Sequence, residues 1–296
     1  MANINDEGFL EFSGIHQHSY QQQLRSNNFP VLEGLSPLNL RVLNQASQVM
    51  NVTKGVEMMV AGDTPHDLYF IAQGSMAVAR KHAGKSLVVA TLKAGDFYGE
   101  YGVLRGKTRF ASVYTAEPSV VIRVGLQAIQ QVLNADEDFK SRVFSIMKQR
   151  ILHSFLYTHV VFREFSASIR DTLSTQLTVS ELERGKILFS QGETADKYYM
   201  ILSGEAEVLI QQSGKPLLLE IRRDNDILGE VRLGKVRLGK GRKYGYKVVA
   251  TNQLDLLVLD KAAMQFLQQA EPAVVKRLQQ FVMQQSKKTI AKIQSL

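Results

Sequence analysis

Residues 95–112 read GDFYGEYGVLRGKTRFAS. A strand-like run closes on a glycine-bracketed acid, Glu100, and nine positions later comes a base, Arg109, followed by small residues. Two readings compete: a surface loop with an ordinary ion pair, worth about 0–1 kcal/mol, or a site for a ligand carrying both hydroxyl and phosphate groups. A second stretch bears on the choice. With a fixed offset of 130 and no gap, residues 55–100 lie over 185–230 with identities at Gly55/Gly185, Gly62/Gly192, Thr64/Thr194, Tyr69/Tyr199, Ile71/Ile201, Gly74/Gly204 and Val78/Val208. They continue through Gly84/Gly214, Lys85/Lys215, Leu87/Leu217, Asp96/Asp226, Gly99/Gly229 and Glu100/Glu230. Many of these are glycines, which serve backbone positions needing left-handed geometry or close approach. The chain is a duplicated module.

At 296 residues the chain has room for two domains, each with its own core. Hydrophobic residues at 45% and charged residues at 22% describe a globular protein rather than a disordered one. No apolar run approaches the ~18–20 residues that span a bilayer, and residues 1–30 are polar and Gln-rich without an apolar signal core, so a cytoplasmic protein is expected. The absence of cysteine removes disulfides, thiolate nucleophiles and Cys-based zinc sites. His16 and His18 lack an accompanying carboxylate cluster, and no metal site is expected. No G-x-S-x-G, H-E-x-x-H or G-x-x-x-x-G-K-[ST] pattern occurs, and no acid, base and nucleophile constellation points to an enzyme. The net charge of +8 leans weakly toward anionic partners, since 36 basic and 28 acidic residues are mostly interspersed.

Each copy has short alternating β-type runs, such as DLYFIAQGSMAVAR (67–80) and KSLVVATL (85–92), broken by glycine turns. The expected fold is mainly β with flanking helices, as two tandem antiparallel barrels or jelly rolls. The expected domains are a polar N-terminal segment (1–28), a first domain with a long C-terminal helix (29–160) and a second domain (161–296). Phe139, Val143, Phe144, Met147, Ile151 and Phe155 recur at helical spacing, as do Val275, Leu278, Phe281 and Val282 on the tail helix. Packing on the barrel is the simple reading of these stripes; a lid over a ligand or a helix–helix seam of a homo-oligomer are the alternatives.

PVLEGLSPLNLRVLNQAS (30–47), GVEMMVAGD (55–63), YFIAQGSMAV (69–78), GDFYGE (95–100) and RFASV (109–113) together resemble the cyclic-nucleotide-binding domain, the module of protein kinase A regulatory subunits and of the catabolite activator protein. The resemblance covers roughly 29–160 and again 161–296. It implies that Gly99 lets backbone N–H groups at the start of a short helix approach a cyclic phosphate. Glu100 would accept from the ribose 2′-hydroxyl, Arg109 would fork onto phosphate oxygens for about 2 kcal/mol, and Phe110 would offer its backbone N–H. Val78, Val89, Ala90 and Leu92 would form the apolar wall for the base, with Ser154, next to His153, near the family's base-contacting turn. Phe110 stands where members preferring cyclic GMP place Thr or Ser, which favours cyclic AMP as ligand over cyclic GMP.

The second copy departs at the arginine. Beyond Glu230, KVVATNQLDLLVLDK regains correspondence with the segment after Arg109 only if the offset grows from 130 to 135, which places Tyr244 at the arginine position. With Gly229 and Glu230 kept, Arg242 or Lys243 is left to supply the charge. The stretch RLGKVRLGKGRK (232–243) carries Arg232, Lys235, Arg237, Lys240, Arg242 and Lys243 without an acid; it reads as a solvated basic loop or as a contact for an anionic partner. The expectation is a non-catalytic receptor whose first domain binds ligand and whose second passes the signal to a protein effector. Two alternatives stand beside it. One is a transcription regulator like the catabolite activator protein or another nucleic-acid-contacting effector, disfavoured because only 26 residues follow Ala270; the other is a ligand-free scaffold with vestigial sites.

Overall fold

A computed structural model of the chain describes residues 3–4, 9–11, 23–82, 85–212, 215–229 and 243–294. In chain order the first copy contains β1 (Asn3–Ile4), β2 (Phe9–Glu11), α1 (Pro37–Gln45), β3 (Ser47–Val52), β4 (Glu57–Met59), β5 (Asp67–Gln73), β6 (Ser75–His82), β7 (Lys85–Lys93), β8 (Phe97–Tyr98), α2 (Glu100–Arg105), β9 (Ser112–Thr115), β10 (Ser119–Gly125) and α3 (Leu126–Ala135). The long helix α4 (Glu137–Thr158) follows. The second copy has α5 (Ala167–Gln176), β11 (Thr178–Leu182), β12 (Ile187–Phe189), β13 (Tyr198–Ser203), β14 (Ala206–Gln212), β15 (Lys215–Arg222), β16 (Ile227–Leu228), β17 (Lys247–Ala250), β18 (Leu254–Leu259), α6 (Lys261–Ala270) and α7 (Pro272–Gln294).

The strands of each copy form two separate antiparallel sheets rather than one closed barrel. In the first they run β1-β2-β3-β10-β5-β8 and β4-β9-β6-β7; in the second, β11-β18-β13-β16 and β12-β17-β14-β15. The period-two alternation of β5 explains the layering. Ile71 and the partly buried Tyr69 join a core drawn from both sheets, with Val52, Met76, Leu92, Tyr98, Val113 and Val121. Leu68 and Phe70 face the other way, onto Leu43 of α1, Ile129 and Val132 of α3, and Phe139 and Val143 of α4. The apolar stripe of α4 therefore packs on the sheet at its start, as the simple reading of its spacing requires. Helix entries follow ordinary capping chemistry: Ser36 Oγ accepts from Asn39 N–H at 3.1 Å, with proline at the start of α1, and Asp260 Oδ1 accepts from Ala263 N–H at 2.8 Å.

Compactness divides the chain into Met1–Met147 and Lys148–Leu296, inside α4 and ahead of the boundary at 160/161 expected from the repeat. The second half of α4 and the turn after it carry Ile151, Leu152, Phe155, Leu156 and Phe162, all buried. Phe155, Phe162 and Phe281 all make ring contacts with His159. Those contacts place this half of the helix with the second copy. No helix among the described residues is long and apolar enough to cross a membrane.

Candidate functional site

The first copy's site grows from the β8–α2 turn. Gly99 begins α2 with φ 95°, a left-handed conformation that glycine takes without penalty, and a Cβ there would meet Arg109 Nη1 at 2.7 Å. The missing side chain is the space into which the guanidinium fits. Arg109 donates from Nη1 to the Gly99 carbonyl and from Nη2 to the Asp67 carbonyl, both at 2.8 Å, so two of its five N–H donors hold the fork in place. Its backbone is clamped as well, by Arg109 N–H to Asp63 O at 2.8 Å and Gly62 N–H to Arg109 O at 2.9 Å. Asp67 is itself pinned, with Arg123 Nε 2.8 Å from Oδ2 and the Tyr69 hydroxyl donating to the same oxygen at 3.4 Å.

Glu100 and Arg109 are 7% and 6% exposed, which removes the reading of an exposed ion pair. Burial pulls the Arg109 pKa down, while Tyr69, Asp67 and Glu100 favour its charged form; an arginine this basic stays a cation. A desolvated, oriented cation beside a buried carboxylate suits a ligand with an anionic group next to a hydroxyl.

The expected wall lies on β6 and β7. Val78 pairs with Ala90 and Met76 with Leu92, but the register shifts between Val78 and Ala79, whose partner is Val88, leaving Val89 as the extra residue of a bulge. Val89 and Leu92 are 3% and 8% exposed, and Val78 packs against the inter-sheet core. Phe110 has a place of its own: the Arg80 guanidinium lies 3.7 Å over its ring, and Tyr101 is 4.7 Å away on centroids. Ser154 is buried and belongs to the second compact unit; its carbonyl accepts from Thr158 at 2.9 Å. His153 pairs with Asp171 at 3.4 Å.

In the second copy Tyr244 occupies the arginine's place. Tyr244 N–H donates to Glu193 O at 2.9 Å and its carbonyl accepts from Gly192 N–H at 2.8 Å, the same two backbone bonds that clamp Arg109. Its hydroxyl donates to the Lys197 carbonyl at 3.0 Å, the position equivalent to the Asp67 carbonyl. The tyrosine thus reproduces the arginine's inward hydrogen bond without its charge. The rest of the space is aromatic: Phe189 stacks on Tyr244 at 3.8 Å and lies 5.6 Å from Tyr246, whose hydroxyl accepts from Gly229 N–H at 3.0 Å. Burial pushes the Tyr246 phenol up to about 12, so it stays neutral. Lys243 is exposed and bridges Thr194 through its backbone. Glu230, Arg232, Lys235, Arg237, Lys240 and Arg242, like His16 and His18, lie outside the described residues.

The sequence reading missed two replacements in the second wall. At the 130 offset Ala90 becomes Glu220 and Leu92 becomes Arg222, and Glu220 keeps the same pairing, with Val208. These two charges tie β15 to α7. Arg222 Nη2 lies 2.6 Å from Glu220 Oε1 and donates to Thr289 Oγ1 at 2.7 Å; Arg222 Nη1 donates to Gln285 Oε1. Lys292 Nζ meets Glu220 Oε2 at 2.7 Å, and Gln285 Nε2 donates to Asp226 Oδ1 at 2.8 Å. Burial, the largest influence on Glu220, pushes its pKa up, but Lys292, Arg222 and Thr289 together outweigh it and hold the carboxyl below its ordinary range. Among the described residues the cavity bounded by Arg222, Gly229, Tyr246, Gln285 and Thr289 is about 10 Å³, room for one water at most and far short of the ~300 Å³ of a small-molecule site. The signal was present in the repeat: an acid and a base, two residues apart, where the first copy is apolar.

Comparison with known proteins agrees with this twofold build. The family described as cyclic nucleotide-binding domain matches residues 49–136 and 179–271, more than half of the chain. The cAMP-dependent protein kinase regulatory subunit of Schizosaccharomyces pombe is 25% identical over 205 residues, covering 65% of this chain and 47% of the relative. The chain thus spans about half the length of that relative. The cAMP-activated global transcriptional regulator CRP of Salmonella typhimurium is 26% identical over 175 residues, covering 53% of this chain and 82% of the relative. The regulatory domain of Toxoplasma gondii PKA, solved with cAMP, aligns over 89% of this chain and 97% of its own at 17% identity and a TM-score of 0.38. With the repeat, the glycine turn and two matched segments in hand, the chain belongs to the cyclic nucleotide-binding domain family and carries that domain twice.

Proposed function

We propose that the protein is a non-catalytic, cytoplasmic cyclic-nucleotide receptor in which only the first copy takes ligand, with cyclic AMP as that ligand. The observation that carries the reading is the Arg109 guanidinium, buried and held by two backbone carbonyls beside buried Glu100. In this role Arg109 donates to the phosphate, Glu100 accepts from the ribose 2′-hydroxyl, the Phe110 backbone N–H adds a donor, and Val78, Val89, Ala90 and Leu92 receive the base. Preorganisation matters because a fork fixed before binding loses little entropy when the phosphate arrives.

In this reading the second copy is a transmission domain. Ligand in the first copy shifts residues 125–160, and the second copy hands the change to a protein effector. The size of that shift is limited by the ligand's differential affinity for the two states. Titration calorimetry with cyclic AMP on the wild type and Arg109→Ala is the test. Binding by the wild type, weakened about thirtyfold or more in the variant, is expected from a charge-assisted contact of about 2 kcal/mol; a silent wild type, or a variant that binds undiminished, overturns the assignment.

A further inference from the structure

The residue before Gly99 is Tyr98, 2% exposed, and its hydroxyl has no hydrogen-bond partner among the described residues. A buried hydroxyl left unpaired is destabilising, and a ligand oxygen that reached it would relieve that cost. Three observations define where it sits. The ring stacks on Tyr69 at 4.9 Å with an interplanar angle of 8°. It shares the inter-sheet core with Leu92, against which Val78 packs, so it adjoins the expected wall. The Arg109 guanidinium, 6.0 Å from the Tyr69 ring centre, also acts electrostatically on the Tyr98 phenol.

The second copy supplies a control. Leu228 stands at the Tyr98 position, is 0% exposed and belongs to that copy's core. Packing at this place therefore needs an apolar side chain and no hydroxyl, whereas Tyr199, the counterpart of Tyr69, is kept. The hydroxyl is found in the copy that has the arginine and missing from the copy that has Tyr244. Burial first, and Tyr69 second, push the phenol well above its usual pKa, with Arg109 opposing; the group is a neutral O–H, ready to donate.

We propose that the Tyr98 hydroxyl donates a hydrogen bond to a phosphate oxygen of the cyclic nucleotide held beside Arg109. The assignment rests on the receptor reading above and adds a second side-chain donor to the phosphate beside that of Arg109. The phosphate rather than the ribose is the acceptor because an anionic oxygen is the stronger acceptor for a neutral phenol.

The test is titration calorimetry of the full chain with cyclic AMP and with 2′-deoxy cyclic AMP, comparing wild type and Tyr98→Phe, which removes one oxygen and keeps the ring. Affinity about tenfold weaker in the variant is expected, with the same ratio for the deoxy ligand and an unliganded melting temperature equal to or above that of the wild type. Equal affinities overturn the proposal and leave the receptor reading standing. A ratio that vanishes with the deoxy ligand moves the bond to the ribose and overturns the phosphate assignment. A fall in the unliganded melting temperature marks a packing role and overturns it as well. A wild type silent to both ligands overturns the receptor reading and this proposal together.

Discussion

The two copies share a backbone and differ in what fills it. Both place a left-handed glycine at the end of the GDFYGE or NDILGE turn, both clamp the residue at the arginine position by the same pair of backbone bonds, and both have the bulge in the second hairpin strand. Inside that frame the first copy has a buried cation, Arg109, and apolar residues at Ala90 and Leu92. The second holds two tyrosines, a phenylalanine and a salt-bridged helix. Ligand chemistry in this fold is therefore a property of a handful of side chains, separable from the architecture that presents them.

The largest effect that sharpens this contrast is expected at Arg222. Removing it by Arg222→Ala leaves Glu220 buried without its guanidinium partner, a loss of about 3 kcal/mol in urea-melt stability. The double change Glu220→Ala with Arg222→Leu installs the first copy's own residues and removes both charges, so most of that loss is recovered. A double variant as unstable as the single one breaks the idea that the two walls are interchangeable.

Next in size is Arg109→Tyr, which gives the first copy the second copy's residue. The phenol is expected to reach the Asp67 carbonyl as Tyr244 reaches that of Lys197, so the melting temperature stays within a few degrees while cyclic AMP affinity falls at least about thirtyfold. A collapse of the fold would show that the frame depends on the cation after all. Tyr244→Phe is milder: losing the bond to the Lys197 carbonyl costs about 1 kcal/mol by thermal melt.

The smallest expected effect is that of acid. The Glu220 carboxyl has a folded pKa below its ordinary value of 4.5, so its stabilisation is complete above about pH 4.5 and is lost as pH falls through the lower folded value. Melts between pH 6 and 8 are expected to show no pH dependence from Glu220, whose stabilisation is fully present there. Below 4.5 the wild type is expected to lose more stability than the Glu220→Ala, Arg222→Leu variant. An equal acid loss in both would remove the Glu220 network from the account.

Much of this architecture is legible in the sequence. The glycines at constant offset mark positive-φ turns, and the alternation of DLYFIAQ sets its two buried faces, because both are local properties of the chain. The contrast of Arg109 with Tyr244 was legible for the same reason: an insertion shifts the offset, and the backbone bonds at Gly62 and Gly192 place both residues alike. The tie between Arg222 and Thr289 was not, since it joins residues 67 positions apart and depends on how α7 lies on β15. Nor was Tyr246 recognised as the acceptor of Gly229 N–H, a bond spanning 17 residues across the insertion. The division inside α4 escaped for a related reason: its stripe of buried residues is continuous, and periodicity alone does not say that its two ends serve different cores.

The bulge at Val78 and Ala79 also bears on how such a duplicated chain can change. Side chains on a strand alternate with a period of two, so the one extra residue sets which of Val89, Ala90 and Leu92 turn inward. Point substitutions leave that phase untouched, as Glu220 and Arg222 show by taking the same places with opposite chemistry. Deleting one residue between 88 and 92 would reverse the phase and expose a buried wall. The hairpin is thus permissive to exchange of residue type and intolerant of a change in residue number, which is how the two hairpins can differ so far in chemistry while keeping the same count.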